Sequence, residues 1–365
     1  MSSHSPDAIV IGAGIIGASI AWKLAHAGLR VCMLDAGSVG GEASWAGAGM
    51  LAPGGEVETR DIWTDLALES QRMYPDYVAQ LEAESGVSID YRRCGAVEVA
   101  FHRAEYQALA RRAEFQRALG IASLALDDSE LRKLVPLFDR EAAGALFYAG
   151  DAIVDPRDIM LALRTACCTM GVEIREGWRA ARIKLSGDSV QVENEPGDAL
   201  HAATGVLAAG AWSSEIAVSG VSLPPLPRAF PIKGHLTGYN CSPRTLGPIL
   251  RRGHTYLLQR SNGFTIAGTS SEHVGFNRSI DAEVVNDITA RVCELLPALE
   301  GQRPVAAWSG FRPAAESTGP VIQRAGDSRL WLAYGHYRNG ILLAPVTAGR
   351  ISGEIAGGHG TEHGK

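Results

Sequence analysis

The chain has 365 residues, of which 46% are hydrophobic and 20% are charged, and its formal net charge is −6. This composition is typical of a soluble globular protein with about two domains. Lysine and arginine are scattered along the chain, so no basic stripe indicates a nucleic acid or an anionic membrane surface as a partner, and chemistry on a small molecule is favoured.

The cysteines and the first apolar stretch indicate in which cellular compartment the protein is expected. The six cysteines form no C-x-x-C pair, and Cys32 falls in a predicted buried strand, which favours a reduced, cytoplasmic protein. Residues 8–22 are apolar, but this stretch is short for a membrane-spanning helix, contains three glycines and has no Lys or Arg before it. We therefore expect neither a membrane segment nor an export signal.

The first 35 residues predict a dinucleotide-binding unit. In chain order they predict a strand at 8–11, a glycine-rich turn, a helix from 15 to about 26 and a second strand at 30–34. The turn has the spacing G-x-G-x-x-G, and the second strand ends in an acidic residue, Asp35. This order of elements is much more specific than the glycine spacing alone.

Each glycine of the turn has its own role. Gly12 allows the tight turn, Gly14 lets the backbone approach a pyrophosphate at the positive end of the helix, and Gly17 lets the helix pack closely on the strand. Asp35 can accept hydrogen bonds from ribose hydroxyls. The motif leaves open whether the dinucleotide is FAD or NAD.

The next segments are less regular. Residues 40–51 are rich in glycine and alanine, which fits either a flexible loop or a contact with a flat cofactor. Residues 64–84 predict a helix that Pro75 kinks or breaks. Residues 88–150, with a strand at 96–101 and a charged helix at 104–119, predict an insertion with its own small core.

The first pattern returns after this insertion. Asp155 caps a helix that runs to Met170, Gly171 ends it, and strands follow at 172–175 and 206–209. Cys167 and Cys168 are adjacent on that helix, so they point to different faces and are not expected to form a redox pair.

The second half of the chain predicts antiparallel strands. A proline-rich segment at 223–227 indicates a crossing between domains, and 256–259 and 264–267 predict a hairpin around Ser261-Asn262-Gly263. A helix is expected at 281–296 with one apolar face. A strand at 330–334, a glycine-bounded turn and a helix follow, whereas the tail after Gly357, with His359 and His363, is expected to be disordered.

Other chemistries have no signature in the sequence. It contains no P-loop, no H-E-x-x-H and no G-x-S-x-G, and its ten histidines lack metal-ligand spacing, so no metal site is predicted.

Taken together, these motifs resemble the D-amino-acid-oxidase-like flavoproteins. The resemblance rests on the N-terminal turn, on residues 43–50, on P-I-K-G at 231–234, on G-F-R-P at 310–313 and on G-H-Y-R-N-G-I-L-L-A-P at 335–345. It covers nearly the whole chain and implies FAD rather than NAD. Within this family, the chain is most similar to the members that oxidise glycine in thiamine biosynthesis.

The resemblance implies a fold and its division. It implies an α/β plus β fold, in which a Rossmann-like FAD-binding domain is built from residues 1–87, 153–220 and 312–365. A second, mainly antiparallel β-sheet domain, which binds the substrate, is built from residues 88–152 and 221–311.

The resemblance also implies site residues. The cofactor-binding residues would be Gly12, Gly14, Ile15, Ile16, Gly17, Asp35, Ala36, Ala43, Ser44, Ala48, Gly49, Met50, Ala180, His336, Tyr337, Arg338, Asn339, Gly340, Ile341 and Leu342. The substrate-binding residues would be Arg312, which pairs with the carboxylate, together with Arg338, Tyr256 and Ser270. No catalytic side chain is expected, because the flavin carries the chemistry.

The implied reaction is the oxidation of glycine and other small primary or secondary amines or D-amino acids. The products would be the 2-oxo acid, ammonia or an amine, and hydrogen peroxide, so the partners would be the amine and O2, in a homo-oligomer without nucleic acid or membrane. Two alternatives stay open: a flavin dehydrogenase of D-amino acids or sarcosine that uses another acceptor, and a dinucleotide-binding sensor without turnover. Asp35 stands where the family commonly has Glu, Ala180 where Val is usual, and Ser270 where a relative has Met, so the last position is expected to admit bulkier amines.

Overall fold

The computed structural model describes residues 5–220 and 223–362, with side chains up to residue 357. The helices are α1 (Ile15–His26), α2 (Ala43–Ala46), α3 (Ile62–Ser85), α4 (Arg103–Arg117), α5 (Asp128–Leu134), α6 (Pro156–Thr169), α7 (Ala282–Leu295) and α8 (Gly340–Glu362). Short 3₁₀ turns lie at Pro53–Gly55, Gly210–Glu215, Pro297–Leu299 and Tyr337–Asn339.

The strands are β1 (Ala8–Ile11), β2 (Val31–Leu34), β3 (Met50–Leu51), β4 (Tyr91–Arg92), β5 (Ala96–Ala100), β6 (Leu124–Leu126), β7 (Gly144–Tyr148), β8 (Ala152–Val154), β9 (Glu173–Arg175), β10 (Ala180–Leu185), β11 (Val190–Asn194), β12 (Ala199–Ala202), β13 (Thr204–Leu207), β14 (Ala217–Ser219), β15 (Ala229–Asn240), β16 (Ile249–Arg252), β17 (Thr255–Gln259), β18 (Phe264–Gly268), β19 (Ala306–Ala315), β20 (Val321–Arg324) and β21 (Leu330–Tyr334).

A six-stranded sheet contains the N-terminal motif. Its order is β20-β21-β13-β1-β2-β9, and all neighbours are parallel except β20 and β21. Helices α1, α3, α6 and α8 cover one face, and a four-stranded sheet, β12-β11-β10-β14, covers the other. Because both faces are covered, β1 and β2 are apolar at every position, as the sequence predicts.

An eight-stranded sheet forms the other half of the molecule. Its order is β19-β15-β18-β17-β16-β5-β7-β6, and its neighbours are antiparallel except β16 and β5. Alternate side chains point to opposite faces, so Leu250 and Leu257 pack with α7, whereas Leu236 and Leu258 pack against residues 46–52. The predicted hairpin is confirmed as β17 and β18.

Two local predictions are wrong, and a third is wrong in part. Pro75 lies inside α3 without breaking it, because a buried face from Leu66 to Leu81 packs that helix along its length, whereas a kink at Pro75 stays a prediction. Residues 88–150 have no separate core, because β5 pairs with β16 and shares the apolar core below α7. The chain after Gly357 is not disordered as far as Glu362, since α8 continues there from its packed turns.

The side chain of His359 and the whole of His363 lie outside the described residues. The division into two domains at the boundaries given above stays a prediction.

Candidate active site

A cavity of about 1140 Å³ lies between the carboxyl ends of β1 and β2 and one face of the eight-stranded sheet. Carboxyl ends of parallel strands are where open α/β sheets place their ligands. The volume is slightly above the range of about 300 to 1,000 Å³ that is usual for small-molecule sites. The cavity is therefore large enough for an extended cofactor together with a small substrate.

The glycine turn closes one end of this cavity, and its shape depends on missing side chains. Gly12 has φ of +101°, and a Cβ there would lie 2.4 Å from the carbonyl oxygen of Ala208. A Cβ on Gly17 would lie 1.9 Å from the carbonyl oxygen of Gly12. Gly12 and Gly14 line the cavity, whereas Gly17 only allows α1 to pack closely on the turn.

The N-terminus of α1 points its amide groups into this end. The first four amides of a helix have no partner within the helix, and they attract an anion. The amide of Ile15 donates to Ser44 Oγ at 2.9 Å, which brings residues 43–50 beside the turn. Ile15, Ile16 and Ser44 all line the cavity.

Asp35 follows β2 and faces the same turn. Its Oδ2 accepts from the amide of Ala13 and its Oδ1 from the amide of Gly37, both at 2.8 Å. Burial raises the pKa of Asp35 above its usual value. Each carboxylate oxygen keeps a further acceptor position, so the shorter Asp can still receive ribose hydroxyls.

Residues 43–50 form a fixed wall of the cavity rather than a flexible loop. They make the short helix α2 and lead into β3, and Arg260 Nη2 donates to the carbonyl oxygen of Ala48 at 2.6 Å. Gly49 has φ of +79°, and a Cβ there would lie 1.9 Å from the carbonyl oxygen of Val154. The predicted contacts in this segment all line the cavity: Ala43, Ser44, Ala48, Gly49 and Met50.

The C-terminal block closes the cavity from the opposite side. His336 is buried, its Nε2 lies 3.0 Å from Thr347 Oγ1, and burial lowers its pKa to about 3, so the ring is neutral. Leu342 is also buried, but it does not line the cavity, and its carbonyl oxygen accepts a hydrogen bond from Ser70 Oγ. The other predicted residues of this block that line the cavity are Tyr337, Arg338, Asn339, Gly340 and Ile341, and the predicted Ala36 and Ala180 line it outside this block.

These features fit a dinucleotide bound in an extended form. The turn has no side chains in the space that the ligand needs, the positive N-terminus of α1 lies at this end, and Asp35 stands at the ribose position. The small residues of 43–50 continue from this end toward the eight-stranded sheet, as a flat ring system would require.

Arg312 lies on β19, at the far end of the cavity. Its Nη1 donates to the carbonyl oxygen of Ser270 at 3.0 Å and its Nη2 to Thr269 Oγ1 at 2.7 Å. The guanidinium lies against Gly234, where a Cβ would be 2.3 Å from Nη2. Among the residues that the structure describes, no carboxylate lies within ion-pair distance of Arg312, and burial lowers its pKa. A half-buried guanidinium of this kind can pair with a carboxylate that enters the cavity.

The other predicted substrate residues have different positions. Tyr256 lines the cavity on the same face of the sheet, and burial raises its pKa to about 12, so it is a neutral hydrogen-bond donor. Arg338 is exposed and pairs with Glu56 at 3.4 Å. Ser270 does not line the cavity, and its hydroxyl group contacts Glu272 and the amide of His235. The structure therefore does not bring the side chain of Ser270 together with Arg312 and Tyr256.

Comparison with known proteins decides the family. Residues 7–353 match the family model described as FAD dependent oxidoreductase, whose short name is DAO. The chain belongs to this family. The resemblance seen in the sequence, the α/β fold with an antiparallel sheet, and FAD as the cofactor are thereby confirmed.

Individual relatives agree with this assignment. The chain is 33% identical over 347 residues to the glycine oxidase of Pseudomonas putida, which covers 94% of this chain and 92% of that protein. It is 32% identical over 353 residues to the bifunctional protein ThiO/ThiG of Synechocystis sp., covering 95% of this chain but 51% of that longer protein. The crystal structure of glycine oxidase from Geobacillus kaustophilus has a TM-score of 0.88 and 28% identity, with 97% of this chain and 95% of that chain covered.

A network behind Arg312 in this oxidoreductase is not evident from the sequence. The amide of Asp281 donates to His235 Nε2 at 3.2 Å, so the ring proton lies on Nδ1, which donates to Glu272 Oε1 at 2.8 Å. The amide of His235 donates to Ser270 Oγ at 2.9 Å. Because Ser270 also accepts from Arg312, this network fixes the segment that orients the guanidinium.

Several other charged side chains line the cavity without any sequence signal that singles them out. They are Glu42, Glu56, Glu58, Glu98, Arg112, Arg179, Glu195, Glu215, Arg251 and Arg278. Period-two alternation on β16 and β5 places Arg251 and Glu98 on the face of the cavity, but only once the pairing of these distant strands is known.

Two features are absent from the residues that the structure describes, a metal-binding cluster and a membrane-spanning helix. No group of three or more His, Cys, Asp or Glu residues is arranged to hold a metal ion. None of the helices combines the length and the apolar character that crossing a membrane requires.

Proposed function

We propose that this flavoprotein oxidises glycine and other small primary or secondary amines or D-amino acids, with O2 as the electron acceptor. Glycine, O2 and water would give glyoxylate, ammonia and hydrogen peroxide. The observation that carries the proposal is the half-buried guanidinium of Arg312, which lacks a counter-ion in the described part of the chain and faces the cavity beside Tyr256. The relatives named glycine oxidase support the choice of substrate.

Arg312 would bind the carboxylate through two parallel hydrogen bonds, since Thr269 and Ser270 hold its guanidinium in place. Tyr256, neutral at ordinary pH, would donate a further hydrogen bond to the same group. These contacts fix the α-carbon relative to the wall formed by residues 43–50, and the low dielectric strengthens the charge pair.

The chemistry that bound FAD would supply is acceptance of a hydride from the α-carbon and transfer of its electrons to O2. The substrate amine would react in its neutral form, so the chain needs no dedicated base. His336, held neutral by burial, would add no positive charge to the C-terminal side of the cavity.

Further parts of the proposal extend the sequence predictions. We assign to FAD the predicted cofactor-binding residues that line the cavity, which leaves out Gly17 and Leu342, and we assign Arg312, Tyr256 and Arg338 to the substrate. The domain boundaries, a homo-oligomeric state and a cytoplasmic location belong to the same proposal. A role in thiamine biosynthesis is supported by the relative that carries the name ThiO/ThiG.

The test is the visible spectrum of the purified holoenzyme under nitrogen, before and after glycine is added. We expect the flavin band to bleach and to return when air is admitted, with hydrogen peroxide formed. Arg312→Ala should keep the flavin but lower kcat/KM for glycine at least about 30-fold, since truncating one partner of a hydrogen-bonded charge pair that the substrate completes costs about 2 to 5 kcal/mol. Arg350→Ala, on the exposed side of α8, is the control.

Other outcomes point to the alternatives. A flavin that sarcosine or a D-amino acid bleaches, but that air does not restore, would indicate a dehydrogenase. A flavin that no amine bleaches, with Arg312→Ala unchanged in every response, would indicate a sensor.

A further inference from the structure

The strand that carries Arg312 also contacts the wall formed by residues 43–50. On β19, Trp308, Gly310 and Arg312 are two residues apart, so they lie on one face of the sheet. Trp308 packs with Ala46, the last residue of α2, and Gly310, Arg312 and Ala46 line the cavity. One strand therefore connects the arginine assigned to the substrate with the wall assigned to the flavin.

Trp308 holds this wall by a hydrogen bond. Its indole Nε1 donates to the carbonyl oxygen of Ala46 at 3.0 Å, and Trp308 is only 8% exposed. The carbonyl groups in the last turn of a helix have no partner within the helix, so a side chain can accept this role at the end of α2. The indole therefore ties the main chain of the wall to β19.

Gly310 determines how closely the wall approaches the strand. A Cβ on Gly310 would lie 2.5 Å from the Cβ of Ala46, and the next atom, Ala46 Cα, would be 3.9 Å away. The methyl group of Ala46 thus lies directly on the main chain of β19, with no space for a side chain between them. Arg312 follows two residues later, about 7 Å along the strand at about 3.4 Å per residue.

The guanidinium of Arg312 lies on the neighbouring strand in the same manner. Gly234 on β15 is the in-register partner of Gly310. A Cβ on Gly234 would be 2.3 Å from Arg312 Nη2, so the guanidinium lies over Gly234 as the methyl group of Ala46 lies over Gly310. The Cβ positions of such partners point to the same face and are about 4.5 to 5.5 Å apart. The guanidinium and the wall therefore lie over neighbouring positions of the sheet.

We propose that Trp308 and Gly310 are positioning residues, which set the distance between the carboxylate held by Arg312 and the flavin beside residues 43–50. This inference rests on the proposed function, because it assumes that Arg312 binds the carboxylate and that FAD lies along this wall. A productive complex needs its reacting atoms about 3 to 3.5 Å apart, and a displacement of about 1 Å can cost about 100-fold in rate. A small shift of the wall should therefore slow flavin reduction without weakening the binding of the carboxylate.

The first test removes the indole N–H with Trp308→Phe. At saturating glycine under nitrogen, the rate of flavin reduction should fall about tenfold, while the glycine concentration for half the maximal rate changes less than about twofold. Trp331→Phe is the matched control, because Trp331 is also buried and its Nε1 donates to Glu354 Oε2 at 3.0 Å, but this bond joins β21 to α8 rather than to the wall. Equal maximal rates in the two variants, or a higher half-saturation with an unchanged maximal rate in Trp308→Phe, would overturn the proposal.

The second test adds and removes a methyl group at the contact. Gly310→Ala places a Cβ 2.5 Å from that of Ala46 and should displace the wall, so the maximal reduction rate should fall at least about tenfold. Ala46→Gly removes the opposing Cβ and leaves Ala46 Cα, at 3.9 Å, as the nearest atom. The double variant Gly310→Ala/Ala46→Gly should therefore regain most of the wild-type rate. A double variant no faster than Gly310→Ala would contradict the proposal.

A third readout needs no turnover. The visible absorption and circular dichroism of bound flavin depend on its surroundings, so Gly310→Ala should shift these bands, the double variant should restore them, and Trp331→Phe should leave them unchanged. Acetate, which carries no amine to oxidise, should bind equally well to all these holoenzymes, because Arg312 is intact. Identical flavin bands in the wild type and in Gly310→Ala would overturn the proposal.

Glycine separates the two ways in which the argument can fail. A wild-type flavin that no amine reduces contradicts the proposed function, and the flavin bands then still decide whether Gly310 positions the wall. Reduction by glycine at the same rate in the wild type, Trp308→Phe and Gly310→Ala contradicts only the positioning role.

Discussion

The two ends of the cavity are built in different ways. The nucleotide end is formed by main-chain groups that approach one another closely. An added Cβ on Gly12, Gly17 or Gly49 would clash with a carbonyl oxygen. The substrate end consists of long charged side chains on the eight-stranded sheet, oriented by hydrogen bonds to other side chains, as Arg312 is by Thr269. The shape of the nucleotide end depends on steric fit and on a motif whose residues are close together in the sequence. The substrate end depends on charged side chains from strands that are far apart in the sequence.

This difference predicts different responses to mutation. Changes at the nucleotide end should act on folding and flavin binding together, because the main chain itself forms the site. Changes at the substrate end should leave the flavin bound and alter KM, because only side-chain positions change.

The largest effect is expected for Gly12→Ala. The backbone there has φ of +101°, and the new Cβ would lie 2.4 Å from Ala208 O, so we expect a loss of at least about 2 kcal/mol of stability and of the bound flavin. Gly28→Ala is the matched control: φ is +84°, but nothing lies within 4 Å of the added Cβ, so only about 1 kcal/mol should be lost and the flavin kept. Thermal unfolding measures the stability of the two variants, and flavin absorbance measures their flavin content. Equal effects of the two substitutions would contradict a steric role for the turn.

The second effect concerns the network behind Arg312. His235→Leu removes the hydrogen bond to Glu272 and leaves that carboxylate short of a partner, so the segment that holds Arg312 should shift. We expect KM for glycine to rise about tenfold, about 1.4 kcal/mol, with kcat and flavin content little changed. His201→Leu, on the exposed strand β12, is the control. A lower kcat with an unchanged KM would show that His235 does not act through the position of Arg312.

The same contrast explains what the sequence predicts and what it does not. The nucleotide end follows from residues that are close in the chain, so the order of strand, glycine turn, helix and acid predicts it, and β1, α1 and β2 have the expected positions. Arg251 has no such local signal, because its place beside Tyr256 and Glu98 depends on strand pairs far apart in the chain. Likewise, the side chain of Ser270 points to Glu272 rather than into the cavity, which spacing alone cannot predict.

The third prediction concerns how the buried imidazole of His336, on the C-terminal side of the cavity, makes the stability of the fold depend on pH. Its folded pKa of about 3 lies below the unfolded value of about 6.5, so the unfolded chain binds one more proton between these values. This contribution to stability is present above about pH 6.5 and is lost as pH falls toward 3, by at most about 1.4 kcal/mol per pH unit. Urea unfolding of the holoenzyme at several pH values, compared with His336→Gln, isolates this proton. An identical slope in the variant would show that His336 is not the group responsible.

The smallest effect is expected at Arg338, the other arginine predicted to bind the substrate. Arg338 is 41% exposed and already pairs with Glu56 at 3.4 Å, and exposed ion pairs contribute about 0 to 1 kcal/mol. Glu56→Gln should therefore change KM for glycine less than about threefold and leave the unfolding temperature nearly unchanged. Measured beside Arg312→Ala in steady-state kinetics, this variant compares a solvated charge that has a partner with a half-buried charge that has no ion-pair partner among the described residues. A change in KM as large as that of Arg312→Ala would mean that Glu56 controls a charge in direct contact with the substrate, so that both arginines orient the carboxylate.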